Sequence, residues 1–168
     1  PESQKAWIGM GDCSADLRLV KRACKEFLWA YQINPDKFAE NWNCGCVLLD
    51  SGDYEMAQMM MQRMIKNRPD YHGGWLMLGE VNMAQGRYEE ARYNLSKSWM
   101  TGVKDCPACA ERYWIDMAYM AYLNGDMSAM DAYKKQWAVD FNPRAYGWAL
   151  TARIYRKQGS IQGERNAW

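Results

Sequence analysis

One spacing limits this chain to a small set of folds. Gly45 and Gly79 stand 34 residues apart, and so do Gly52 and Gly86, Tyr54 and Tyr88, Ala57 and Ala91, and Pro35 and Pro69. The same interval separates Ala23 from Ala57, Trp114 from Trp148 and Gly125 from Gly159, while Trp7 and Trp75 are 68 apart, twice the period. One interval departs: Trp75 to Trp114 and Gly86 to Gly125 are both 39, which places five extra residues between them. Small, aromatic and turn-forming residues returning at a fixed period mark a repeat array, in which each unit buries its apolar face only by stacking on its neighbour.

Within a window the order of residues predicts two helices and a turn. An apolar-periodic segment runs to a glycine, as at Ala84-Gln85-Gly86, where a left-handed helix end is expected. A second helix starts at Tyr88 and its counterparts and stops before a proline, as at Asn67-Arg68-Pro69-Asp70. Gly45 with Ala57, and Gly79 with Ala91, supply small residues where two helices approach closely. The resulting windows are 4–37, 38–71, 72–110 with the insertion, 111–144 and an incomplete 145–168. At this period the last window is about ten residues short, so the chain is expected to continue there, or to cover this end by self-association or a partner. The opening Pro1, without an initiator methionine, is likewise expected of a processed or cut chain.

These residues resemble the tetratricopeptide repeat, whose pattern runs W-x2-L-G-x2-Y, then G-x-Y, A-x3-F and a closing proline. The fullest copy is Trp75-Leu76-Met77-Leu78-Gly79, Gly86-Arg87-Tyr88 and Ala91, with Leu95 in the phenylalanine slot. The copy before it keeps Gly45, Gly52, Tyr54, Ala57 and Pro69, with Asn41 in the tryptophan slot and Met61 in the phenylalanine slot. The first keeps Trp7, Gly11, Ala23, Phe27, Ala30 and Pro35 but lacks the central glycine and tyrosine, which puts its turn in question. Later copies keep Trp114, Ala118 and Gly125, then Trp148, Ala152, Tyr155 and Gly159. The resemblance implies an all-α fold, a single right-handed superhelix of helix-turn-helix repeats over 1–168, and a non-catalytic scaffold that binds another protein.

Composition narrows the function further. Twenty-one Lys and Arg against 20 Asp and Glu leave a net charge of +1, unlike the basic excess of a nucleic-acid binder. Hydrophobic residues at 49% supply a core, but no run is long enough for a transmembrane helix, and no secretory signal is legible. Met 13, Trp 9 and Tyr 11 against Phe 3 is the bias of an adaptable packing surface.

In tetratricopeptide arrays the first helix of each pair lines the concave face. On that pattern the partner groove is expected at Trp42, Cys46 and Leu49 in the second window and Leu76, Glu80 and Met83 in the third. The fourth window contributes Arg112, Ile115, Tyr119 and Tyr122, and the fifth Tyr146, Ala149, Arg153, Arg156 and Lys157. Such a surface suits an extended or helical peptide with apolar anchors and an acidic flank. The competing use of the same side chains is packing between repeats, and of the cations a solvated helix face. A subclass of this family clamps the carboxylate tails of chaperones with lysine, asparagine and arginine. The equivalent slots here hold Trp42, Cys46, Met77, Arg112 and Asp116, and only Arg112 fits.

The six cysteines suggest no active site. Cys106-Pro107-Ala108-Cys109 has redox-motif spacing without a strand-helix setting, and Ala110 stands where haem attachment needs histidine. The pair is read as a local disulfide or as two thiols in a longer turn, and Cys13 and Cys24 share a helical hairpin that would let them bridge. No second pair completes a four-ligand zinc site. Met56, Met59, Met60, Met61 and Met64 offer thioethers for a soft ion such as Cu(I), or packing atoms for a core. An accessory domain handling copper or redox chemistry through this run and the cysteine pair is the alternative to a scaffold. His72, in the turn Asp70-Tyr71-His72-Gly73-Gly74, has no nucleophile or carboxylate pair beside it, so neither catalytic residues nor a cofactor are expected.

A narrower likeness links Asn43-Cys44-Gly45, the insertion at an inter-repeat turn, and the final Tyr146 to Gly159. In these the chain resembles the pilotins of type IV pilus secretins, periplasmic lipoproteins at the bacterial outer membrane, although the N-terminal lipoprotein cysteine is missing. This resemblance implies assembly of an envelope complex through protein contacts, favours the periplasm over the cytoplasm, and implies a disulfide between Cys106 and Cys109.

Overall fold

The computed structural model describes residues 3–34 and 38–140. The chain divides into two compact units, Pro1–Gly102 and Val103–Trp168. The described part of the first holds α1 (Gln4–Asp16), α2 (Val20–Ile33), α3 (Phe38–Ser51), α4 (Tyr54–Asn67), α5 (His72–Ala84) and α6 (Tyr88–Met100). The second holds a 3-10 turn, Val103–Asp105, then α7 (Pro107–Leu123) and α8 (Met127–Asp140). Among the described residues there is no strand, and the helices pair into four hairpins.

All four hairpins turn in the same way. In α3, α5 and α7 the left-handed position is glycine: Gly52 at φ 81°, Gly86 at φ 75° and Gly125 at φ 73°. The residue after each donates its N–H five positions back, Asp53 to Leu48 O at 3.0 Å, Arg87 to Asn82 O at 2.8 Å and Asp126 to Ala121 O at 2.9 Å. These bonds satisfy carbonyls that the helix end would leave open. The first hairpin makes the same turn without glycine. Arg18 takes φ 56°, its N–H meets Ala15 O at 2.8 Å, and Leu19 N–H meets Ser14 O at 2.8 Å. A left-handed non-glycine residue costs roughly 1–2 kcal/mol, so packing of the hairpin, rather than local preference, holds this turn.

The 34-residue glycines explain how closely each pair approaches. A Cβ on Gly11 would lie 2.7 Å from the Phe27 ring, and one on Gly79 would lie 2.9 Å from Leu95 Cγ and Cδ2. At Gly45 it would meet Met77 Sδ and come within 2.7 Å of Met61 Cε. The large residue of each second helix therefore seats against a first helix that has no side chain there.

In the first unit one core runs through α2 to α5, from Ala23 and Phe27 through Cys44 and Leu48 to Ala57, Met60, Met61, Met64, Met77, Leu78 and Val81. Polar ties reinforce it. Gln4 Nε2 donates to Ala30 O at 3.1 Å and Asn34 O at 3.0 Å, closing carbonyls at the end of α2. Trp75 Nε1 donates to Pro69 O at 2.8 Å and fixes the turn before α5. In the second unit Ile115 and Ala118 of α7 pack with Tyr119 and with Met130 and Tyr133 of α8.

Most of the five-residue insertion lengthens a helix. α7 has 17 residues where α5 has 13, and its added turn lies before Trp114. Pro107 occupies the first helical turn, where its fixed φ and missing N–H are tolerated, and Cys106 is the N-cap. The fourth hairpin therefore starts at 107, ahead of the 111 that the period gives.

Candidate binding surfaces

On the first-helix faces the expected groove residues fall into three groups. Trp42, Cys46 and Leu49 on α3 are half-buried and lean on the core of the first unit. Arg112, Tyr119 and Tyr122 on α7 are also half-buried, whereas Ile115 is buried within the second unit's core. Leu76, Glu80 and Met83 are 0%, 9% and 8% exposed and present little surface. Ten of the thirteen residues of α5 are buried, so most of this helix is covered. Tyr146, Ala149, Arg153, Arg156 and Lys157 lie outside the described residues.

Cys106 and Cys109 stand as thiols at the N-terminus of α7, their Sγ atoms within 4.8 Å of each other, not as a disulfide pinning a loop. Cys13 is exposed and is not bridged to Cys24. Cys24 instead lies within electrostatic reach of Cys44, one helix on. Burial, reinforced by Cys24 and Cys46, pushes the Cys44 thiol up to about 12, and burial followed by the Asp53 charge also raises Cys24. Both are held as neutral thiols at neutral pH, unlike a nucleophilic cysteine. Cys44 Sγ approaches Met60 Sδ at 3.3 Å, a packing contact of two soft atoms.

The methionine run is core. Met60, Met61 and Met64 are 3%, 0% and 3% exposed, while Met56 is half-buried and Met59 faces outward. Their three- and four-residue spacing reflects the buried stripe of an amphipathic helix. His72 begins α5, and its carbonyl accepts a hydrogen bond from Ser98 Oγ at 3.0 Å.

The tryptophan slots carry aromatic pairs. Trp7 stacks on Trp29 with centroids 6.0 Å apart, Trp75 meets Tyr93 edge-on at 6.5 Å, and Trp114 lies 5.9 Å from Tyr133. Burial, with the nearby Tyr133, pushes the Tyr113 hydroxyl up to about 12. One polar feature escaped the sequence reading: Asn82 and Asn94 are only 4% and 5% exposed, yet both open on a hollow beside α4. Comparison of equivalent slots across the repeats was the signal available for it.

Helical hairpins with the same turn, each unit with its own core and half-buried first-helix side chains, are the building blocks of α-solenoid proteins. Residues 45–97 match the tetratricopeptide repeat family model, and the flanking hairpins repeat its slots. Solved structures agree in fold. The type IV pilus biogenesis factor PilW superposes with a TM-score of 0.72 at 19% identity, over 99% of this chain and 76% of that one. A thermophilic TPR protein of Thermus thermophilus gives 0.70 at 18% identity, over 98% and 88%. MamA from Desulfovibrio magneticus RS-1 gives 0.66 at 16% identity, over 86% and 78%. No curated protein sequence matches the chain. Tetratricopeptide-repeat proteins are generally non-catalytic scaffolds that bind protein partners, and no described helix is long and apolar enough to cross a membrane.

Proposed function

We propose that this chain is a non-catalytic scaffold that takes partner polypeptide on its first-helix faces, with Trp42 and Leu49 on α3 as anchors in the first unit and, separately, Arg112, Tyr119 and Tyr122 on α7 in the second. The half-burial of these apolar and aromatic side chains carries the reading: each is anchored below and open above, the state of an interface anchor before its partner arrives. Arg112 favours an acidic flank in the partner. The setting we propose is the assembly of a bacterial envelope complex such as a type IV pilus or its secretin. Its support is the fold shared with PilW over nearly the whole chain, together with the sequence likeness to pilotins.

The competing use, a soft-metal domain on the methionine run, is disfavoured because Met60, Met61 and Met64 are enclosed by the core. Affinity purification from a piliated bacterium, comparing the wild type with Trp42→Ala and with Tyr119→Ala plus Arg112→Glu, tests the proposal. Secretin or pilus subunits retained by the wild type and lost by the variants are expected. Retention by both variants would reject the assigned faces, and recovery of no envelope component would reject the setting.

A further inference from the structure

The hollow beside α4 is filled differently in each repeat. Two slots define it, one near the end of the first helix and one in the second. They hold Ser14 and Glu26, then Leu48 and Met60, then Asn82 and Asn94, then Ala121 and Tyr133. In the first hairpin the polar pair satisfies itself, Ser14 Oγ donating to Glu26 Oε2 at 2.6 Å, with Arg22 Nε on the other oxygen at 2.8 Å. In the second, Leu48 and Met60 are 1% and 3% exposed and belong to the core. The fourth hairpin puts Tyr133 against Trp114.

Only the third pair leaves amide capacity unused. Asn82 Oδ1 accepts from Arg87 Nη2 at 3.0 Å, but among the described residues its NH2 group has no hydrogen-bond partner and the Asn94 side chain has none at all. Both residues are more than nine-tenths buried, and their unpaired amide atoms reach the solvent of the hollow, beside the buried, unpartnered Arg87 Nε. They line one open hollow of about 440 Å³, with Gln58 and Gln62 on its α4 side.

We propose that this hollow, whose lining shares no residue with the first-helix anchors, binds an extended, uncharged polypeptide segment through its main chain. A side-chain amide presents an acceptor and two donors, which match the N–H and C=O of a peptide group in an extended strand. An anionic ligand is disfavoured by Glu89 and Glu90 at the rim. The cation there, Arg87, is already held by Gln58 Oε1 at 2.6 Å and by Asn82. A sugar is disfavoured because the lining aromatic ring is engaged: Lys97 Nζ lies over the Tyr93 ring at 5.5 Å and Trp75 meets it edge-on.

The test selects linear heptapeptides from a displayed library on the wild-type chain, in parallel with a panel of oligosaccharides. Binding is then compared in Asn82→Leu plus Asn94→Met, which installs the residues of the second repeat, and in Gln62→Ala, which changes an exposed rim residue. Selected peptides should bind the double variant at least tenfold more weakly and Gln62→Ala several-fold more weakly, with amide resonances of α4, α5 and α6 shifting on titration. Peptides that bind all three proteins equally would place them elsewhere, on the first-helix faces, and overturn this inference while leaving the scaffold reading intact. Oligosaccharide binding lost in the variants, or failure to select any peptide, would each overturn it too.

Discussion

Arg18 at φ 56° occupies the place that glycine fills in the next three hairpins. Replacing it with glycine removes a left-handed cost of roughly 1–2 kcal/mol and adds unfolded-chain entropy of about 0.5–1 kcal/mol. Arg18→Gly is therefore expected to stabilise by up to about 1 kcal/mol, measured as a higher urea midpoint at an unchanged slope. An unchanged or lower midpoint would mean that the arginine side chain compensates its own backbone. Glu26 shows a second balance at this scale. Burial raises its carboxyl, but the hydrogen bonds from Ser14 and Arg22, with the arginine's charge, outweigh burial and bring it below its ordinary value of 4.5. A carboxyl depressed in the folded state stabilises fully above its unfolded value and loses that contribution as pH falls through the lower, folded one. The wild type should thus lose stability between neutral pH and pH near 3 more steeply than Glu26→Gln, as followed by urea midpoints at the two pH values.

At the scale of the element, close helix approach depends on what faces each glycine. Alanine raises intrinsic helix stability by about 1 kcal/mol over glycine, whereas overpacking costs typically about 1–3 kcal/mol. Gly11→Ala drives a Cβ into the rigid Phe27 ring and Gly79→Ala drives one into Leu95. Gly45→Ala meets the mobile ends of Met61 and Met77. The expected order of destabilisation is Gly11→Ala first, Gly79→Ala next and Gly45→Ala nearest to neutral, read from thermal melts. Equal losses at all three positions would show that the methionine ends cannot yield. These contacts also show what was legible. The helical hairpins follow from glycine, alanine and proline recurring at 34 residues, because turn and close-approach constraints are local and residue-specific. The added turn of α7 was not legible, since five inserted residues suit a loop and a helix equally until Pro107 takes the N-terminal turn. Nor was the burial of Leu76, Glu80 and Met83, which depends on how many sides of α5 are covered rather than on its own sequence. The first turn was legible only as a missing glycine, because the force that holds Arg18 left-handed comes from the packed hairpin.

At the scale of the whole molecule, a repeat array draws its stability from each hairpin and from contacts between neighbours, so a compact block of repeats needs no distant segment. The first unit meets that condition. Its core is drawn from α2 to α5, α1 is tied to α2 by Gln4 and by Ser14 with Glu26, and α6 is seated through Leu95 against Gly79. Its turns close locally, by hydrogen bonds that span no more than five residues. Such contacts carry little loop-closure entropy and favour rapid folding. A chain of residues 1–102 is therefore expected to fold by itself, with helical circular dichroism and a single cooperative urea transition. Met61→Ala in that fragment should lower its stability by about 2–5 kcal/mol, because Met61 is fully enclosed where α3, α4 and α5 meet. A fragment with little helix, or one whose melting ignores Met61, would show that the core of α2 to α5 does not suffice and that the period sets the fold only when further repeats are attached.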